Sequence, residues 1–276
     1  MQIFSIVENT SRQGLAVEHG LSLYIKLSDG IHVLFDMGQG ALFSRNARAL
    51  GLKVSRVDMA VISHGHYDHG GGLSAFLEEN NKAKVYVHRE AFQPHYSLRE
   101  TGLRYIGLDR KVEEDKRIVL CSGKTSISPH ITLVGNISGN TLLPAGNRLL
   151  FGPSEQVHDS FCHEQSLLIE EGDKAVLFAG CAHRGILNIM AAVEEKTGRA
   201  PTHVLAGFHL VKSGLTDAEE DLFIGQLAKR LLEYGCMYYT MHCTGIEQYE
   251  KLKSLMGERI AYLSCGDSVS VSAVLH

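Results

Sequence analysis

No stretch of this chain is apolar for the roughly 20 residues that a membrane-crossing helix needs, so no membrane partner is expected. The opening residues Met1-Gln2-Ile3-Phe4-Ser5 lack the basic segment and apolar run of a secretory leader, and none is expected. An excess of one charge is missing too. Lys and Arg number 27 against 31 Asp and Glu, a formal net charge of −4, which leaves no basic footprint for a nucleic-acid partner. The six cysteines, Cys121, Cys162, Cys181, Cys236, Cys243 and Cys265, form neither a CxxC pair nor a compact framework. They read as reduced, mostly buried thiols of a cytoplasmic protein, not as a disulfide scaffold. Tryptophan is absent, and that decides nothing about function.

What is present is ordinary for a globular protein with a sizeable core: 44% hydrophobic and 21% charged residues in 276. That length allows one large domain or two small ones. The unusual count is histidine, at 15. Many of these sit beside Gly, Asp or Cys at the ends of apolar runs, where ligands are often placed.

Short β-rich runs occupy Gln2 to Val7, Ser22 to Leu27 and His32 to Phe35, with turn residues such as Asp29-Gly30 between them. Ala41 to Leu50 reads as a helix. Val57 to Ile62, apolar except for Asp58, reads as a strand buried on both faces. Leu73 to Glu79 is helix-like and Ala83 to His88 strand-like. Residues 89–120, rich in Arg, Lys, Tyr and Glu, break the rhythm and read as a cap or insertion. Strands resume at Ile131 to Asn136, Leu149 to Gly152, Gln165 to Glu170 and Ala175 to Ala179. A helix over Gly185 to Lys196 and a strand at Val204 to Gly207 follow. Thr216-Asp217-Ala218-Glu219 is a capping box. It opens a helix with Phe223, Leu227 and Leu231 on one face and a stop at Gly235. Met237 to Met241 is strand-like, and a last helix covers Glu247 to Leu255. The two halves resemble each other coarsely, which suggests two stacked sheets with helices outside.

The apolar run at Val57 leads into Ser63-His64-Gly65-His66-Tyr67-Asp68-His69, followed by Gly70-Gly71-Gly72. Neutral imidazoles and carboxylates are zinc ligands. In an extended segment residues i and i+2 project to the same side, so His64 and His66 can face one ion. Asp68 and His69 lie where the chain must turn and can face a second. The glycines let the backbone turn tightly around the ions. A solvated loop of scattered histidines is the alternative reading.

His64-Gly65-His66-Tyr67-Asp68-His69 resembles the HxHxDH signature of the metallo-β-lactamase superfamily, and Leu34-Phe35-Asp36-Met37-Gly38 resembles the Asp-x-Gly that precedes it there. Gly180-Cys181-Ala182-His183-Arg184-Gly185-Ile186, Gly207-Phe208-His209-Leu210 and His242-Cys243-Thr244-Gly245 are similar to its dihydropteroate-synthase-like branch. That branch includes a pterin-ribofuranosylaminobenzene-phosphate synthase. The resemblance spans nearly the whole chain. It implies an α+β fold, a four-layer αββα sandwich, here as a single domain over residues 1–276 with metals at one edge of the sheets.

The resemblance implies a ligand set of His64, His66, Asp68, His69, His183 and His242. Where the superfamily usually has an Asp that bridges two ions, this chain has Cys181, with His183 two residues on, so Cys181 is a further candidate ligand. His163 and Glu164 stand near the place of another superfamily ligand. Asp36 is implied to orient a ligating histidine, or is simply a strand-ending turn residue. His209 is implied to touch substrate, the alternative being a surface histidine. In the 89–120 segment Arg89, Arg99, Arg104, Arg110 and Lys111 alternate with Tyr96 and Tyr105. They suit an anionic, partly aromatic ligand, unless Glu113, Glu114 and Asp115 merely balance them on a solvated face.

The expected activity is that of a metal-dependent hydrolase. One or two divalent ions, zinc first and manganese or iron as alternatives, activate water toward an ester- or phosphoryl-type bond of a small anionic substrate. Asp68 and His209 are the expected catalytic groups. Three rivals stand beside this: a synthase-like transferase releasing pyrophosphate, a diiron redox enzyme, and a metal-binding module without catalysis. The diiron relatives usually carry Glu at the place of His66.

Overall fold

The computed structural model describes residues 1–211 and 214–272. In chain order its strands are β1 (Gln2–Val7), β2 (Ser22–Lys26), β3 (His32–Phe35), β4 (Met59–Val61), β5 (Lys84–His88), β6 (Tyr96–Arg99), β7 (Gly102–Tyr105), β8 (Ile118–Cys121), β9 (Lys124–Ser128), β10 (Ile131–Gly135), β11 (Leu150–Phe151), β12 (Gln165–Glu171), β13 (Lys174–Phe178), β14 (His203–Ala206), β15 (Met237–Thr240), β16 (Ile260–Tyr262) and β17 (Ser268–Ser270). The α-helices are α1 (Leu42–Ala49), α2 (Tyr67–Gly70), α3 (Leu73–Glu79), α4 (Ile186–Thr197), α5 (Asp217–Glu233) and α6 (Ile246–Met256).

The strands form two seven-stranded sheets, ordered β17-β1-β2-β3-β4-β5-β8 and β16-β15-β14-β13-β12-β10-β9, and a small sheet β11-β6-β7. Each large sheet is antiparallel at one end and parallel at the other. In the first, β3, β4, β5 and β8 run parallel. In the second, β13 to β16 do. Side chains alternate between faces along each strand, and the sequence obeys this. Val33, Phe35, Leu167, Ile169, Val176 and Phe178 meet between the sheets. Leu34 turns outward to Phe43 and Phe76 of α1 and α3. Leu168 and Leu177 turn outward to the helical layer of α4, α5 and α6. The result is the four-layer αββα sandwich that the motifs implied.

The capping box is present, with Thr216 and Glu219 each accepting from the other's backbone. Gly235 sits at φ 67° just past α5, where a left-handed residue ends a helix at little cost. The buried face of that helix is Ile224, Leu227 and Leu231, and Phe223 is only partly covered. Six strands had no signal in the sequence: β6, β7, β8, β9, β16 and β17. β6, β7, β9 and β17 are short and largely exposed or at sheet edges, so they lack the apolar alternation that marks a strand; β8 and β16 are apolar runs of only four and three residues. Residues 89–120 divide in two. The β6–β7 hairpin pairs with β11, while β8 joins the first large sheet beside β5. Among the described residues no helix is long and apolar enough to cross a membrane.

Phe35 and Phe178 meet across the sandwich with ring centroids 6.0 Å apart, both fully buried. Phe178→Ala removes one side of that contact. A loss of about 3–5 kcal/mol in unfolding free energy is expected from the cavity and the lost burial. Urea denaturation measures it, and a loss below about 1 kcal/mol would contradict the packing described.

Candidate metal centre

In open sheets of parallel strands, functional groups gather beyond the carboxyl ends of the strands. Here five such ends feed one edge of the sandwich. Asp36 follows β3, His64 follows β4, Cys181 and His183 follow β13, His209 follows β14 and His242 follows β15. The chain leaves β4 extended, so His64 and His66 fall on one side, Nε2 of the first 3.0 Å from Nδ1 of the second. His66 then caps α2, whose single turn presents Asp68 and His69. Gly65 is required at the bend, since a Cβ there would collide with the Ala91 carbonyl oxygen and the His95 ring.

All the expected ligands converge. His69 Nε2 lies 3.1 Å from Cys181 Sγ and 3.2 Å from His242 Nε2. Asp68 Oδ2 lies 3.4 Å from His242 Nε2 and 3.9 Å from His69 Nε2. Donor atoms of His64, His66 and His183 fall within 4.8 Å of one another, as do those of His64, His69 and Cys181. Cys181 therefore stands between a set made of His64, His66 and His183 and a set made of Asp68, His69 and His242. Each of these residues is at least nine-tenths buried.

The hydrogen bonds behind the rings decide which nitrogen each offers. Asp36 Oδ2 accepts from His69 Nδ1 at 2.7 Å, and the same carboxylate accepts the Ser63 amide and hydroxyl. With its one proton given to Asp36, the Ser63 oxygen accepts from His64 Nδ1 at 2.8 Å. Asn147 Nδ2 donates to the His183 carbonyl, which fixes the amide, so its oxygen accepts from His183 Nδ1 at 3.0 Å. Asn9 Oδ1 accepts the Gly20 amide and His242 Nδ1, the latter at 2.8 Å. Four rings thus tie Nδ1 to a fixed acceptor and turn Nε2 inward, the arrangement expected of metal-binding histidines. Nε2 of His66 and of His183 are buried without any hydrogen-bond partner. Orphaned buried nitrogens are costly, and a cation is what the donor set fits.

The electrostatics agree. Burial, reinforced by neighbouring imidazoles, holds His64 and His183 well below the usual histidine range, and burial with His163 and His95 does the same for His66. They are neutral, the ligating form. Burial presses His69 down as well, but Asp36 and Asp68 outweigh it and lift it to about 9. Burial also works against ionising Asp68, yet His69 and His242 keep its carboxyl far below the usual range. This half of the site holds a proton where a divalent ion would displace it. Burial and Cys243 push the Cys181 thiol up.

Other residues serve as supports. Asp36, with φ 59°, orients His69 and, through Ser63, His64. His163 has both ring nitrogens engaged, by the Gly65 amide and by Asp159. Glu164 accepts the amides of His183 and Arg184, and burial raises it to about 7. His209, at φ 48°, packs its ring edge-on against that of His183, centroids 4.3 Å apart. Asn9, His19, Ser63, His95, Asn147 and Asp159 had not been singled out. Each is one polar residue in a loop or, for Asn147, in the short 3-10 turn Ala145–Leu149, with no spacing pattern to reveal it. Above the cluster opens a cavity of about 750 Å³, bounded by His66, Asp68, His183, His209 and His242 and by Leu98, Arg99 and Ile106 of the hairpin region.

A family model described as the metallo-beta-lactamase superfamily matches residues 16–219. An uncharacterized protein of Methanocaldococcus jannaschii is 28% identical over 258 residues, covering 91% of this chain and 93% of its own. A second protein of that organism is named 7,8-dihydropterin-6-methyl-4-(beta-D-ribofuranosyl)-aminobenzene-5'-phosphate synthase. It is 27% identical over 249 residues, covering 83% of this chain and 82% of its own. A crystal structure described as a metal-dependent hydrolase of the beta-lactamase superfamily superposes with a TM-score of 0.80 at 30% identity, covering 99% of both chains.

Asp36→Asn keeps the left-handed backbone, which Asn tolerates, but puts an amide against His69 Nδ1. Metal affinity should fall about 10- to 100-fold, with the circular dichroism spectrum unchanged. Competition with a chelator measures it, and wild-type affinity would mean that His69 is not oriented through Asp36.

Proposed function

The chain belongs to the metallo-beta-lactamase superfamily, and we propose that it is a metal-dependent hydrolase acting on an ester- or phosphoryl-type bond of a small anionic substrate. One observation carries the reading. Four imidazoles with their Nδ1 protons tied away meet a carboxylate and a thiol at the floor of an open cavity. His64, His66 and His183 would hold one divalent ion, Asp68, His69 and His242 another, with Cys181 between them. Imidazole, carboxylate and thiolate together suit zinc best, with manganese and iron the alternatives.

Bound divalent ions supply water activation at neutral pH and polarise the electrophilic oxygen. The chain's own groups do the rest. Asp68 faces the cavity beside His242 and can hold a proton of the nucleophile in line. His209, across from it on the His183 side, lines the cavity and would serve the leaving group. The protein fixes these groups in advance through Asp36, Asn9 and Asn147, so little reorganisation accompanies reaction.

A transferase reading is favoured by the relative named as a synthase. There the same centre would assist departure of a diphosphate while an amine attacks. Pyrophosphate released only when an amine acceptor is present would establish it over hydrolysis.

The His66→Ala variant should lose turnover on a phosphodiester and ester panel and hold fewer ions than the wild type, which is expected to carry about two. Elemental analysis of protein purified without chelator gives the count. Undiminished turnover in this variant, or a wild type that takes up no metal on reconstitution, would overturn the proposal.

A further inference from the structure

His19 lies in the connection between β1 and β2, outside the ligand set. It lines the cavity, its side chain about half exposed. Its Nε2 is 3.3 Å from Asp68 Oδ2, and its ring centroid is 4.7 Å from that of His242. It thus stands at the mouth of the Asp68, His69 and His242 set.

Its proton can be placed. The Gly20 amide donates to Asn9 Oδ1, and so does His242 Nδ1. That fixes the Asn9 side chain with its nitrogen toward His19 Nδ1, 3.3 Å away. An amide nitrogen only donates, so His19 Nδ1 accepts. The ring proton is then on Nε2, on the cavity side. His64, His69, His183 and His242 have the opposite arrangement, with Nδ1 donating and Nε2 turned toward the cluster. One asparagine thus sets two adjacent histidines in opposite tautomers, one offering a lone pair and the other an N–H.

We propose that His19 is a substrate-contacting residue, a neutral hydrogen-bond donor to an anionic oxygen, phosphoryl or carboxylate, seated over Asp68 and His242. The assignment rests on the hydrolase reading above. It requires no change of charge on His19, only that the Nε2–H find an oxygen better placed than the Asp68 carboxylate.

Inorganic phosphate is the probe. The protein is reconstituted with cobalt, and phosphate is titrated while the visible absorption of the bound ion is followed. His19→Ala should keep the wild-type cobalt stoichiometry and weaken phosphate binding about tenfold, or about 1.4 kcal/mol. His19→Gln places an amide N–H near the lost Nε2–H and should recover most of that affinity. Equal phosphate affinity in wild type and His19→Ala would overturn the proposal. Loss of cobalt from His19→Ala would also overturn it, since His19 would then hold the metal set together. So would a cobalt-loaded wild type whose spectrum ignores phosphate. A wild type that binds no cobalt at all would instead sink the hydrolase reading.

Discussion

The carboxylate of Asp36 joins the two halves of the candidate centre. It has no solvent contact, and it accepts the Ser63 amide, the Ser63 hydroxyl and the His69 imidazole. Through Ser63 it sets His64, and directly it sets His69, so one anion orients a donor in each ligand set. Such an anion is stable inside a protein only when its hydrogen bonds replace water. Those bonds in turn pin the end of β3 to the loop after β4. The two strands are parallel neighbours, Phe35 opposite Val61, and Asp36 continues that register past the end of the sheet.

The sandwich does for the whole site what Asp36 does locally. Both sheets place the carboxyl ends of their parallel strands at the same edge, and the apolar layer between them keeps those ends together. Loops that leave a shared edge need only a few residues to reach a common point. This is why donors at 69 and 242 can lie side by side without a long excursion of either loop. The hairpin β6–β7 adds a wall to the cavity without contributing to the inter-sheet core.

Much of this was legible in the residues. The spacing of His64, His66, Asp68 and His69 after an apolar strand is local information, and local patterns survive in a sequence. So do the capping box at Thr216 and the apolar run Leu167-Leu168-Ile169 within Gln165–Glu171. The supports were not legible, because they act across the chain. Asn9 reaches His242 over 233 positions, and Asn147 reaches His183 over 36. Neither residue carries a motif, and an asparagine in a loop is ordinarily a turn former. His19 was hidden for the same reason. The order of Cys181 and His183 along the chain left open which would join the donor cluster, and in space both bring a donor atom to it. The edge strands escaped notice because exposed, polar segments such as Lys124–Ser128 pair through backbone alone.

The donor atoms have one further consequence, which concerns folding. His64, His66, Asp68 and His69 belong to the loops of the first sheet; Cys181, His183 and His242 belong to those of the second. A cation gripping both sets is a clasp across the sandwich, closing a span of well over a hundred residues. An ion that binds only the closed edge lends its binding free energy to the folded state, by RT ln(1 + [M]/Kd). The apolar layer and the clasp therefore act at different depths of the same joint, one along its length and the other at its rim. Without such an ion the rim would be held by imidazole, thiol and carboxylate contacts alone, so this is where the two sheets would begin to part.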